Sequence, residues 1–241
     1  MKAYGLTDKG AIRSENQDRF RVFEGENCCA VAVCDGMGGA KAGSVAAELA
    51  TDAFMHCLER CINEAESRQS GTILREAASF ANIRVYDKSK ESEEYEGMGC
   101  TLVAALVRDE SVAVINIGDS RCYHFSDQGL RQLTIDHSLV EEMVQSGRIS
   151  REEAKTHPWR NYITRAVGLE YRVQGDLFYP KLLKGDTLLL CSDGLSGVLS
   201  HKTIEEVLFS CPELESAARK LMDLTLQAGA PDNITVLLLR V

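Results

Sequence analysis

The sequence has little that breaks or stiffens a chain. Four prolines among 241 residues exclude a collagen-like or proline-rich disordered polymer. No apolar run approaches the ~20 residues of a membrane span, and MKAYGLTDKG has no charged segment leading into an apolar stretch. A soluble, cytoplasmic protein with no membrane partner is therefore expected. Basic residues are the minority, 27 against 36 acidic for a net charge of −9, and they form no run. A surface that holds nucleic acid by neutralising phosphates is not expected. The nine cysteines include no C-x-x-C pair, and their odd count argues against a disulfide framework. They read as reduced, small apolar residues of a cytosolic protein. What is present is apolar bulk, 44% of the chain, with no repeat, linker or low-complexity tract. One domain spanning 1–241, monomeric by default, is the expectation.

Arg19 to Phe23 and CCAVAVC (28–34) read as two strands paired in a hairpin, the second long enough in apolar residues to be buried on both faces. From Ser44 the period becomes helical, with Ala46, Leu49/Ala50, Ala53/Phe54, Cys57/Leu58 and Cys61/Ile62 spaced three and four apart. A polar break over 67–71 precedes a second helix carrying Leu74, Ala77/Ala78, Ala81 and Val85. Strands follow over 100–107, 111–117 and 121–125. The segment 136–168 changes character: Ser138-x-x-Glu141 and Ser150-x-x-Glu153 both fit a capping box and Gly147 can end the first helix, so it reads as a surface insertion. Strands at 173–178 and 187–191, helices from about Thr203 and after Pro212, and a last strand over 234–241 complete an α+β order without strict βαβ alternation.

The chemistry-bearing pattern is aspartate at strand ends. Asp18 precedes a strand, Asp35-Gly36 follows AVAVC, Asp119 follows VINIG, Asp193-Gly194 follows LLLCS and Asp232-Asn233 precedes ITVLLL. Singly, each is an ordinary turn or helix cap. Together, brought close by strands of one sheet, they form a repelling cluster unless a cation sits among them. Oxygen ligands without His or Cys at ligand spacing suit Mg²⁺ or Mn²⁺ rather than zinc. DGMGGAKAG has no G-K-[ST] and no G-x-G-x-x-G, so its glycines read as allowing close approach of the backbone to an ion or a neighbouring chain rather than as a nucleotide loop.

In order, TDKGAIRSENQD (7–18), VAVCDGMGG (31–39), GMGCTLVAALV (97–107), NIGDSRCY (116–123), LTIDHS (133–138), HPWRNYITRAVG (157–168), GDTLLLCSDGL (185–195) and GAPDNITVLLL (229–239) resemble the type 2C metal-dependent protein serine/threonine phosphatases in their short bacterial form. The resemblance covers essentially the whole chain. It implies two antiparallel sheets packed face to face with helices outside, an α-β-β-α sandwich, with 136–168 as a flap beside the active site. It implies two Mn²⁺ or Mg²⁺ ions, with Asp35 bridging them, the Gly36 carbonyl as a further ligand, Asp193 and Asp232 completing the first ion and Asp18 holding waters on the second. Asp119 with Asp193 would hold a third, weaker ion. Arg13 would grip the substrate phosphate and Asn233 would orient water.

The implied reaction is direct hydrolysis of phosphoserine and phosphothreonine in cytosolic phosphoproteins by a metal-activated water, opposing a bacterial serine/threonine kinase. Cys34 and Cys191 adjoin the motifs, but each sits in an apolar strand with no basic neighbour in sequence, as inert cysteines do. Two departures bear on the leaving group. Met37 stands where many eukaryotic members carry a histidine, and Ala40 where many bacterial members have one, which leaves His157 or a metal-bound water as the candidate acid. Cys100 replaces a common threonine and reads as a small core residue. The alternatives are a non-catalytic metal-binding signalling module of the same fold, disfavoured by retention of the five aspartates and Arg13, and a metal-dependent nuclease, disfavoured by the acidic balance.

Overall fold

The computed structural model describes residues 1–64, 68–109 and 111–241, with Ala40 described through its backbone alone. Among these residues the strands run β1 (Lys2–Asp8), β2 (Asp18–Glu24), β3 (Cys28–Met37), β4 (Gly99–Cys100), β5 (Leu102–Arg108), β6 (Ser111–Ile117), β7 (Arg121–Ser126), β8 (Gly129–Gln132), β9 (Asp176–Phe178), β10 (Thr187–Cys191) and β11 (Ile234–Arg240). The helices are α1 (Gly39–Glu64), α2 (Ser70–Ser89), α3 (Leu139–Gln145), α4 (Arg151–Thr156), α5 (Asp193–Ser196), α6 (His201–Ser210) and α7 (Leu214–Gln227). One sheet has the order β1-β11-β10-β7-β8 and the other β2-β3-β5-β6-β9, with β4 pairing the end of β3. Every pairing is antiparallel.

The period-two geometry of a strand explains the layers. In β3, Val31 and Val33 meet Leu188, Leu190, Leu237 and Leu239 between the sheets, while Ala30, Ala32 and Cys34 face Ala46, Phe54, Leu58 and Leu74 of α1 and α2. Leu189, Val236 and Leu238 point the other way, against Ile204 of α6 and Leu221 of α7. Each central strand is thus buried on both faces, which is why these runs are apolar without alternation. The result is the expected sandwich of helix, sheet, sheet and helix.

Several boundaries differ from the sequence expectation. β1 carried no strong strand signal, since Gly5 and Asp8 dilute KAYGLTD; its pairing with β11 creates it. α1 starts at Gly39, ahead of Ser44, because the small residues after Asp35 let the helix begin against the strand it follows. The run 100–107 is broken at Thr101, whose N–H donates to the Asp35 carbonyl (2.9 Å). The strand expected over 173–178 is ordered only from Asp176. Ser67, in the expected break, lies outside the described residues. In the 136–168 segment the Ser150 capping box is complete. Ser138 makes only half of one, its Oγ accepting from the Glu141 N–H. No helix among the described residues is long and apolar enough to cross a membrane.

Candidate metal centre

Both sheets deliver aspartates to one edge of the sandwich. Asp18 is the first residue of β2 and stands directly opposite Asp35, which lies inside β3 rather than beyond it. Asp119 occupies the turn through which the chain leaves β6 in one sheet for β7 in the other. Asp193 opens α5 just after β10, and Asp232 lies just ahead of β11. Asp35, Gly36, Asp119, Asp193 and Asp232 line one pocket of ≈ 470 Å³ together with Arg13, Met37, Thr101, Asn161, Ile163 and Asn233. Asp18 is not on its wall. It is fully buried beside Asp35, behind the aspartates that line the pocket.

Two Asp-Gly phrases serve the same steric need. A methyl at Gly36 would strike the Gly43 carbonyl oxygen at the start of α1, and one at Gly194 would strike the Asn233 carbonyl oxygen at the entry to β11. The close approach allowed by glycine is therefore between neighbouring chain segments.

The electrostatics are those of a site built for positive charge. Burial, reinforced by the neighbouring aspartates, pushes the Asp18 and Asp119 carboxyls each up to about 7. It drives Asp35 well above the ordinary carboxylate range and raises Asp193 in the same way. Asp18 Oδ2 accepts from Ser192 Oγ (2.6 Å) and Thr235 Oγ1 (2.7 Å), yet its Oδ1 and the Oδ1 of Asp193 are buried with no hydrogen-bond partner. An orphaned buried acceptor costs about 1–3 kcal/mol, and two of them on carboxylates are what a cation would satisfy. The pocket wall holds neither histidine nor cysteine, so the donor set is hard oxygen and fits Mg²⁺ or Mn²⁺. The compact three-ligand group among the described residues lies elsewhere. Here the carboxylates spread around the pocket, an arrangement suited to cations that keep part of their water shell.

Arg13 reaches the pocket from the loop between β1 and β2, and its Nη2 donates to Asp232 Oδ2 at 2.7 Å. Asn233, expected to orient water, is on the pocket wall with its amide bonded to the chain around Arg13. Its Nδ2 donates to the carbonyls of Lys9 and Glu15 (both 2.9 Å), and its Oδ1 accepts from the Gln17 N–H (2.8 Å). Both amide hydrogens are thereby committed to the loop that carries Arg13. Asn233 is a positioning residue for that loop.

Sequence reasoning missed the hydroxyl residues that tie the aspartates together. Thr101 Oγ1 accepts from the Asp35 N–H (2.9 Å) and lies 2.7 Å from Ser120 Oγ, next to Asp119. Ser192 and Thr235 hold Asp18. Each adjoins a strand end or a metal-site aspartate in sequence, which is the one signal that would have marked them. The base of the 136–168 segment is also tied to the core. Arg121 grips Asp136 through both carboxylate oxygens (2.6–3.0 Å). The Gly118 N–H donates to His137 Nδ1 (3.1 Å), whose Nε2 faces Asp176 (3.2 Å). His157 is not on the pocket wall. Its Nδ1 accepts from the Trp159 N–H and its ring packs edge-on against that indole. Lys41 is exposed. Cys34 and Cys191 are fully buried, with Cys34 raised well above the usual thiol range and Cys191 pushed to about 12 by burial, and neither has nucleophilic character.

Buried carboxylates with unmet acceptors, and an arginine beside them, form a site suited to divalent cations and to an anionic group. Residues 11–234 match the model of the Protein phosphatase 2C family, and the chain belongs to that family. It is 40% identical over 239 residues to the serine/threonine phosphatase Stp of Listeria monocytogenes, covering 99% of this chain and 95% of that one. The crystal structure of Staphylococcus aureus serine/threonine phosphatase Stp1 superimposes with a TM-score of 0.88 at 36% identity, covering 100% of this chain and 94% of that chain. The catalytic domain of the serine/threonine protein phosphatase PstP, crystallised with two manganese ions, does so with a TM-score of 0.85 at 35% identity over 98% of this chain and 96% of that chain.

Proposed function

We propose that this protein hydrolyses phosphoserine and phosphothreonine in cytosolic phosphoproteins, opposing a bacterial serine/threonine kinase, as a single monomeric phosphatase domain. The observation that carries the reading is the pair of orphaned oxygens, Asp18 Oδ1 and Asp193 Oδ1, in a nest of aspartates that opens on Arg13. Asp35, the Gly36 carbonyl, Asp193 and Asp232 would hold two Mn²⁺ or Mg²⁺ ions, Asp18 would support the second, and Asp119 with Asp193 would hold a third, weaker one. Bound there, divalent cations supply neutralisation of phosphoryl charge and a lowered pKa for the attacking water.

The chain's own residues do the rest. Arg13 presents a planar guanidinium able to make two parallel hydrogen bonds to phosphoryl oxygens. Asn233 fixes the loop on which Arg13 rides. The 136–168 segment acts as a flap, with Asn161 and Ile163 reaching the pocket wall and exposed Trp159 and Tyr162 offering a face to a protein substrate. The test is hydrolysis of p-nitrophenyl phosphate and of phosphothreonine peptides with and without manganese. Manganese-dependent turnover of both supports the reading. A manganese-loaded protein with no turnover on either is the non-catalytic binding module.

A further inference from the structure

A second set of metal-ligating side chains lies outside the acidic pocket, where α1 packs on α2. Cys57 and Cys61 are four residues apart on α1 and so share one face of it. Both are buried, at 1% and 0% exposure. Glu76 comes from α2. One ligand atom from each of the three lies within 4.8 Å of the others. Arg68 holds the Glu76 carboxylate from behind, Nη2 to Oε2 at 3.1 Å.

A purely apolar role accounts for buried cysteines, which commonly serve as small hydrophobes. It leaves aside the half-buried Glu76 carboxylate, paired with Arg68, that converges on both of them at the edge of the helix interface. Fixing a ligand by a hydrogen bond from outside is how metal sites are usually braced.

We propose that Cys57, Cys61 and Glu76 bind one thiophilic d¹⁰ cation, with Zn²⁺ as the reference ion, clamping α1 to α2. Thiolate and carboxylate are both established zinc ligands, and water takes the fourth tetrahedral position on the half-buried Glu76 side. Binding forms two metal–sulfur bonds and one metal–oxygen bond, breaks two S–H bonds and releases two protons to solvent. Burial pushes the Cys57 thiol up to about 11 and raises Cys61 as well. Protons therefore compete with the ion, and affinity rises about 100-fold per pH unit while both thiols are protonated in the free protein. The two centres sort their ions by ligand softness: oxygen in the pocket for hard cations, sulfur between the helices for soft ones.

The test uses the full chain, chelator-treated, kept reduced and then saturated with Mn²⁺ so that the carboxylate pocket is filled. Co²⁺ is titrated in as a spectroscopic probe and then displaced with Zn²⁺. The expected result is a near-ultraviolet sulfur-to-cobalt band that saturates at one ion per chain and is abolished by Zn²⁺. Arg68→Ala should keep the band with affinity about 10- to 100-fold weaker. The double variant Cys57→Ser/Cys61→Ser should lose the band while its near-ultraviolet circular dichroism and manganese-dependent turnover stay at wild-type levels. Absence of the band in the Mn²⁺-saturated wild type, or its persistence in the folded double variant, overturns the proposal.

Discussion

Asp18 and Asp35 stand directly opposite one another on neighbouring antiparallel strands. Like charges in that position are destabilising, and with no cation bound the conflict is relieved by protons. Burial raises Asp18 and Asp119 to about 7 and lifts Asp35 and Asp193 too. A carboxyl raised in the folded state makes that state bind more protons than the unfolded chain does. Its stability contribution is complete below the ordinary carboxyl pKa of about 4 and is lost as pH rises through about 7.

The melting temperature of the chelator-treated protein should therefore fall as the buffer is raised from about pH 5 to about pH 8. Manganese at ~100 times its dissociation constant should add about 2.7 kcal/mol per independent site, and the gain should widen across the same interval. Scanning fluorimetry over a pH series, with manganese or chelator, reads both. A profile indifferent to both additions means that the aspartates hold no ion.

Arg13 contacts Asp232 at 2.7 Å, but its side chain is 55% exposed. The ion pair itself therefore contributes little to stability. Arg13→Ala should leave the melting temperature near wild type and cost about 2–4 kcal/mol of transition-state stabilisation, the scale of one preorganised donor. Arg13→Lys should recover only part of that, because an ammonium cannot reproduce the two-pronged contact. Steady-state kinetics on a phosphothreonine peptide provides the measure. An alanine variant with unchanged turnover and KM removes Arg13 from the substrate site.

Much of this was legible in the sequence because the central strands are apolar on both faces and end in aspartate, a pattern that marks fold and site together. Val31 and Val33 face the opposite sheet while Ala30 and Ala32 face α1 and α2, and no alternation was needed to find the strand. What stayed hidden depended on partners distant in sequence. β1 is a strand because β11 pairs with it. The bracing of Asp18 by Ser192 and Thr235 comes from residues 174 and 217 positions away. Asn233 looked like a turn residue beside Asp232. Its amide donates to the carbonyls of Lys9 and Glu15, contacts that span the length of the chain.

That pinning gives a prediction opposite in kind to the one for Arg13. Asn233→Ala removes the hydrogen bonds to the Gln17 N–H and to the Lys9 and Glu15 carbonyls, at about 1–3 kcal/mol for each carbonyl that water cannot reach. It should lower the melting temperature and kcat/KM together, since the loop carrying Arg13 is loosened. Denaturant unfolding and peptide kinetics on one preparation separate the cases. Loss of activity with full stability would mean that the amide acts on substrate or water directly.

Asp193 and Asp119 should come apart in the same assays. Asp193 is proposed to serve two ions and has a buried orphaned oxygen, whereas Asp119 is proposed to serve only the third. Asp193→Asn should weaken manganese binding by at least the about 10- to 100-fold that even outer-shell partners cost, and turnover should fall with it. Asp119→Asn should keep two tight equivalents and lose the weak one in calorimetric titration. The metal-free proteins should show the reverse order. Replacing Asp193 by a neutral amide removes a charge repelled by Asp232 and one that raises Asp35, so metal-free Asp193→Asn should melt higher than metal-free wild type, and more so as pH rises. A site that gains stability when its charge is removed, and loses function by the same change, is held in a strained state for its ligand. If metal-free Asp193→Asn instead melts lower than wild type, the carboxylate is structural and its place among the ligands is lost.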